Sequence, residues 1–277
     1  MSTSILTSLM LGNRQAGRLT RIPFLPAAFP GQEDFWTVLA ELAVHGADII
    51  EIGVPFSDPV ADGPQVAAAS RLALANGGGL DYIVAGLARR RAALPPGLVL
   101  MGYVNPFIQY GWAQAARDNP GREIRAILAA SLEFLAETLS QAGVAGLIVP
   151  DLPLEESGPW LAALNRHDLD LIPLVGPNTS LEKMKVYAAG GAGGYVYVVS
   201  VLGVTGEREN LPLEVTETLK RARQAFNLPL ALGFGLSSPR QLRNLEDSPE
   251  AVIFGSALIR HLAEGGAVQD FMTPWLA

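Results

Sequence analysis

The chain has 277 residues, of which 49 % are hydrophobic and 17 % charged, with 20 Lys and Arg against 27 Asp and Glu. That apolar content supplies a sizeable core and excludes a disordered chain, and the net charge of −7 argues against a nucleic-acid-binding surface. The absence of cysteine removes disulfides, thiolate nucleophiles and Cys-based metal sites.

The first 21 residues carry no basic side chain ahead of their short apolar stretch, which makes a poor signal peptide. No window approaches 18 uncharged apolar residues, so no membrane span is expected and the expected location is the cytoplasm. Short apolar, β-branched runs then recur at 21–25, 47–54, 98–104, 146–150, 170–175, 194–199, 228–234 and 250–255. Helical patterns separate them at 33–45, 81–93, 123–142, 160–167, 181–189, 213–226 and 239–246. Alternating strands and helices predict a parallel sheet, and near-continuous apolar strands predict burial on both faces. Eight such strands match a single-domain (β/α)8 TIM barrel over 1–277, with a helix at its N-terminus. A doubly wound open sheet is the competing fold, weakened because no G-x-G-x-x-G follows the first strand.

Barrel chemistry sits at the C-terminal ends of the strands. Glu51 interrupts an apolar second strand, where burial raises a carboxyl pKa toward neutrality and suits proton transfer; the plainer alternative is a Glu tied to backbone or Arg. Asp58 and Asp62 follow in a loop stiffened by Pro55, Pro59, Gly63 and Pro64, where such residues also serve simply as turn-makers. With no histidine nearby, no metal site is expected. Glycine turns at 203–206, 233–237 and 255–257 are candidate phosphate cradles, with Ser256 opening a short helix. The glycine-bounded polar segment from 203 onward reads as a mobile lid or as a plain surface loop.

Five motifs occur in order: EIGVPFSDPVADGP from 51, GLIVPDLPLEES from 146, GYVYVVSVLGVTG from 194, then GFGLS and FGSAL. On these the chain resembles the tryptophan synthase α-subunit family over nearly its whole length. The resemblance implies a (β/α)8 barrel that cleaves indole-3-glycerol phosphate to indole and glyceraldehyde 3-phosphate in tryptophan biosynthesis. It implies Glu51 as general acid/base and Asp62 as the second catalytic carboxylate, with Tyr197 and Thr205 in support. Gly206, Gly233, Gly235, Ser237, Gly255 and Ser256 fall at phosphate contacts or beside them. Phe24, Met101 and Tyr103 fall where the family lines its indole pocket. The implied partner is a β subunit, in an α2β2 assembly, with pyridoxal phosphate in that subunit and no cofactor in this chain.

Three departures stand out. Residues 26–30 replace the family's usual end to the first strand, Leu202 stands where a small or polar lid residue is common, and an insertion covers approximately 112–131. The inserted segment reads as a helical lead-in followed by a long amphipathic helix, with Ile124, Ile127, Leu128, Leu132, Leu135 and Leu139 on one face. Two other functions compete: a lyase working without a partner, and a non-catalytic paralogue that binds a phospho-ligand and regulates. Retention of both Glu51 and Asp62 argues against the second. A Schiff-base aldolase would want a lysine at a strand end, whereas Lys183, Lys185 and Lys220 all lie in helical stretches.

Overall fold

The computed structural model describes residues 4–199, 213–233, 236, 238–242, 245 and 248–276. It begins with helix α1 (Ile5–Gln15), capped by Ser4, whose hydroxyl accepts the Leu6 and Thr7 amides. Leu6 and Met10 are fully buried under the barrel, and Leu6 packs within 3.3 Å of where a side chain on Gly146 or Gly194 would stand. Thr7 donates to the Gly194 carbonyl at 2.5 Å, and Ser4 donates to Asp170. The helix therefore plugs the N-terminal mouth of the barrel.

Strands β1 (Thr20–Pro26), β2 (Ile49–Gly53), β3 (Gly97–Met101) and β4 (Gly146–Ile148) lie side by side and parallel. Strands β7 (Val196–Val199), β8 (Leu230–Gly233) and β9 (Ala251–Phe254) complete the other half, β9 pairing with β1. The run expected as one strand at 170–175 is two: β5 (Asp170–Leu171) pairs with β4, and β6 (Leu174–Val175) pairs with β7. Pro173 lacks the amide that would continue the ladder, and its ring ends the first piece. Its carbonyl still accepts the Tyr197 amide at 2.9 Å, so the ring closes across the break.

The helical layer comprises α2 (Gln32–Val44), α3 (Pro64–Ala75), α4 (Leu80–Arg90), α5 (Val104–Asp118), α6 (Ile124–Gln141), α7 (Gly158–Arg166), α8 (Leu181–Ala189), α9 (Leu213–Ala225), α10 (Ser256–Ala263) and α11 (Val268–Met272). Helix α3 is absent from the sequence reading because PQVAAASRLALA offers only a weak apolar stripe. The helix expected at 239–246 is, among the described residues, a single 3-10 turn from Pro239 to Leu242. The lysines lie on α8 and α9.

Helices α5 and α6 form a hairpin. The two helices approach closely at Gly111, where an added Cβ would stand 2.4 Å from the Ser131 carbonyl oxygen, and Ser131 donates to Ile108 O at 2.7 Å. Leu132, Leu135 and Leu139 on α6 are buried, but Ile124 is 74 % exposed. The first turn of α6 thus extends past the barrel wall, and the amphipathic face expected from 124 onward meets the core from Leu128, which packs against it half-buried.

No described helix is long and apolar enough to cross a membrane.

Candidate active site

Glu51 is central to β2 and wholly buried. Tyr195 comes from just ahead of β7, four strands away in the sheet order, and donates its hydroxyl to Glu51 Oε1 at 3.0 Å. The contact spans the barrel, so the carboxyl points into its interior. Oε2 has no hydrogen-bond partner among the described residues. Burial raises the carboxyl from its ordinary 4.5 to about 8, and the tyrosine bond pulls it down only partly. At neutral pH Glu51 is therefore a carboxylic acid holding a transferable proton.

Asp62 sits in the β2–α3 loop. Burial raises it from 3.8 to about 6, against a lowering hydrogen bond from Tyr103, so it is mainly ionised at pH 7. Two carboxyls thus stand in opposite protonation states at one pH, which is the arrangement that separates acid from anion roles. The loop around Asp62 is held at several points. Ser70 on α3 accepts the Phe56 amide at 3.2 Å, the Phe56 ring lies 5.4 Å from that of Tyr103, and the Tyr103 hydroxyl accepts the Ala61 amide at 2.9 Å. Tyr103 was expected within a strand; it lies just past β3, at the cap of α5, and Asp151 accepts the next amide, Val104, at 2.9 Å.

Phe24, Met101, Tyr103 and Asp62 line one cleft at the C-terminal end of the strands, together with Val66 and Pro150. The three expected pocket residues therefore do converge on the second carboxylate. Asp58 is exposed and is hydrogen-bonded to Ser57. Tyr197 is buried in β7, and its hydroxyl explains Gly233: a Cβ there would lie 2.4 Å from it. Gly255 similarly leaves room for Phe24, 2.8 Å from where its Cβ would be. Ser256 opens α10 directly after β9. Thr205, Gly206, Gly235 and Ser237, with Leu202, lie outside the described residues. No group of three or more metal-ligating side chains occurs among the described residues.

Tyr195 was missed in the sequence. Its signal was available: strand periodicity puts Tyr195 and Tyr197 on the same face.

The sequence profile of the family described as tryptophan synthase alpha chain matches residues 12–272. The chain belongs to the tryptophan synthase alpha chain family. The tryptophan synthase alpha chain of Nitratidesulfovibrio vulgaris Hildenborough is 53 % identical over 275 residues, covering 99 % of each chain. That of Desulfovibrio desulfuricans is 54 % identical over 262 residues, covering 94 % of each. Among solved structures, Mycobacterium tuberculosis tryptophan synthase superposes with a TM-score of 0.83 at 30 % identity over 100 % of both chains. Tryptophan synthase subunit alpha of Legionella pneumophila str. Paris gives 0.79 at 26 %, covering 98 % of this chain and 95 % of that one. The TIM-barrel architecture is that of these tryptophan synthase structures. As a tryptophan synthase alpha chain, the protein is a lyase of tryptophan biosynthesis that cleaves indole-3-glycerol phosphate. The family implies a β-subunit partner.

Proposed function

We propose that Glu51 carries the protons of the cleavage and that Asp62 stabilises the charge it creates. The observation that carries this reading is the pair itself: a buried neutral acid with one unpartnered oxygen, and an ionised carboxylate lining the cleft above it. Glu51 gives its proton to indole C3, and positive charge appears on the ring nitrogen. Asp62 accepts the indole N–H and holds that charge where it forms. Glu51, now a carboxylate, takes the proton of the hydroxyl on the adjacent side-chain carbon. The bond from that carbon to C3 breaks, its electrons return to the ring, and the carbon becomes the aldehyde of glyceraldehyde 3-phosphate. Glu51 ends protonated, as it began. Tyr195 orients the carboxyl by its hydrogen bond.

The indole ring lies among Phe24, Met101 and Tyr103. The phosphate is held by backbone amides around Gly206, Gly233, Gly235, Ser237, Gly255 and Ser256, where the α10 N-terminus supplies favourable dipole charge. Tyr197 packs beside the substrate, and Thr205 orients Asp62. Pyridoxal phosphate belongs to the β subunit of a cytoplasmic α2β2 assembly, and this chain needs no cofactor. Residues 1–277 act as one barrel domain in which the outer α5–α6 hairpin carries the insertion at about 112–131; the exposure of Ile124 supports a segment lying beyond the barrel wall.

The test is indole release from indole-3-glycerol phosphate by the purified chain and by Asp62→Asn, each with and without a β subunit. Losing the anion should cost about 2–4 kcal/mol of transition-state stabilisation. A variant within twofold of wild type would reduce Asp62 to a turn residue. A wild-type rate unchanged by the β subunit would favour a free-standing lyase.

A further inference from the structure

Beyond the break at Pro173 the barrel wall is thinly bonded. Strands β4 and β5 share two register pairs, and the last hydrogen bond between them is Ile172 N–H to Leu147 O at 2.9 Å. Further toward the C-terminal end, β6 pairs with β7 alone. Against the outside of this seam is a pocket of about 110 Å³. Pro150, Ile172 and Pro173 form its inner wall, and Leu154, Leu161 and Tyr187 stand at the rim between α7 and α8.

The rim side chains are only half-buried, so an apolar guest would remove them from water, which favours its binding. The volume is on the order of that of an apolar cavity able to hold one aromatic ring. Tyr187 offers a ring edge or face to a planar guest. Ser157 brings a polar group into the lining. It is 4 % exposed, and its hydroxyl donates to Leu154 O at 2.7 Å, which commits its proton and leaves its oxygen as an acceptor. Pro150 lines this pocket and also the cleft that contains Asp62, so one residue separates the two spaces.

We propose that this pocket is a second, non-catalytic site for small planar aromatic molecules carrying one N–H donor, the class to which indole belongs. Apolar walls select the ring, the Ser157 oxygen selects the N–H, and the cleft on the other side of Pro150 releases such a molecule at each turnover. Only the choice of guest depends on the chain's reaction; the roles given to Glu51 and Asp62 are not used.

The experiment is a fluorine NMR titration of the whole chain with 5-fluoroindole. The barrel cleft is first saturated with indole-3-propanol phosphate, which lacks the hydroxyl needed for cleavage. One saturable bound resonance is expected to remain. Leu161→Trp should abolish it while cleavage of indole-3-glycerol phosphate continues at the wild-type rate, and Ala192→Phe at the pocket rim provides an independent block. Ser157→Ala should weaken 5-fluoroindole by about 2- to 10-fold, the worth of one hydrogen bond, and leave 5-fluoro-1-methylindole unchanged. No saturable resonance with the cleft filled would overturn the site, as would wild-type binding by both blocking variants. Equal weakening of both ligands by Ser157→Ala would overturn the N–H assignment. A failure of the Glu51 assignment would instead show as turnover by a Glu51 variant, with this titration unchanged.

Discussion

Replacing Glu51 by Gln should make the chain inactive and, at neutral pH, more stable. Burial raises the carboxyl from 4.5 to about 8, so the native chain keeps a proton that the unfolded chain gives up above pH 4.5. Between those values the native state binds more protons than the unfolded state, and stability falls as pH rises. Each unit is worth about 1.4 kcal/mol, which puts the cost of Glu51 at roughly 3 kcal/mol at pH 7 and roughly 5 kcal/mol above pH 8. Gln is a good reference because it copies the neutral acid, accepting the Tyr195 hydroxyl and placing its NH2 where the acid O–H sits. The comparison therefore isolates the ionisation cost. For a chain of this size, 3 kcal/mol corresponds to roughly 6 °C in melting temperature. Scanning calorimetry of wild type and Glu51→Gln at pH 5, 7 and 8.5 reads the difference, which should widen with pH and almost vanish below pH 5. A gap that is constant in pH, or a Gln variant that is less stable at pH 8.5, would refute the reasoning. Indole release should be nearly abolished while phospho-ligand binding persists.

Tyr195→Phe removes the hydrogen bond that lowers the Glu51 pKa, so the alkaline limb of the kcat/KM profile should move to higher pH; a limb that stays in place denies the contact. Tyr103→Phe removes a bond that lowers the Asp62 pKa and leaves the Ala61 amide without its acceptor. The acid limb should rise above its wild-type position near pH 6, and an acid limb that falls would contradict the assigned donor. Gly111→Ala forces a methyl to within 2.4 Å of the Ser131 carbonyl oxygen, which a helix backbone cannot yield cheaply. A loss of about 1–3 kcal/mol is expected, read by urea unfolding, and a neutral substitution would mean the hairpin packs more loosely than described.

The barrel was legible because parallel strands buried on both faces leave apolar runs that little else produces, as at Ile49–Gly53 and Gly97–Met101. Glu51 stood out for the same reason, as a charge in one of those runs. The split of the fifth strand was less legible: Pro173 was visible, but a run of six residues reads as one strand until its neighbours show that each half pairs on a different side. Helix α3 was hidden by its alanines, which favour helix without marking a face. Tyr195 was hidden by distance: the chain separates it from Glu51 by 144 positions, and only closure of the ring brings the two together. The glycine turns were expected as phosphate cradles; what the structure shows at Gly233 and Gly255 is a different constraint, because the neighbours that exclude a Cβ, Tyr197 and Phe24, lie on other strands.

The pairing of β1 with β9 also sets a clock for synthesis. Strand β1 leaves the ribosome early, but one of its two neighbours is encoded more than two hundred residues later. At about 5–20 residues per second the nascent chain waits on the order of 10–50 s with that edge unpaired. An open edge of seven apolar-flanked residues is a template for pairing with another chain. In TRIPFLP alternate amides face opposite edges, the Thr20 amide toward β9 and the Ala27 amide toward β2, so Pro26 removes a donor from the waiting edge. The composition of β1 thus protects the newborn chain from its neighbours on the same messenger during the interval before its own last strand arrives.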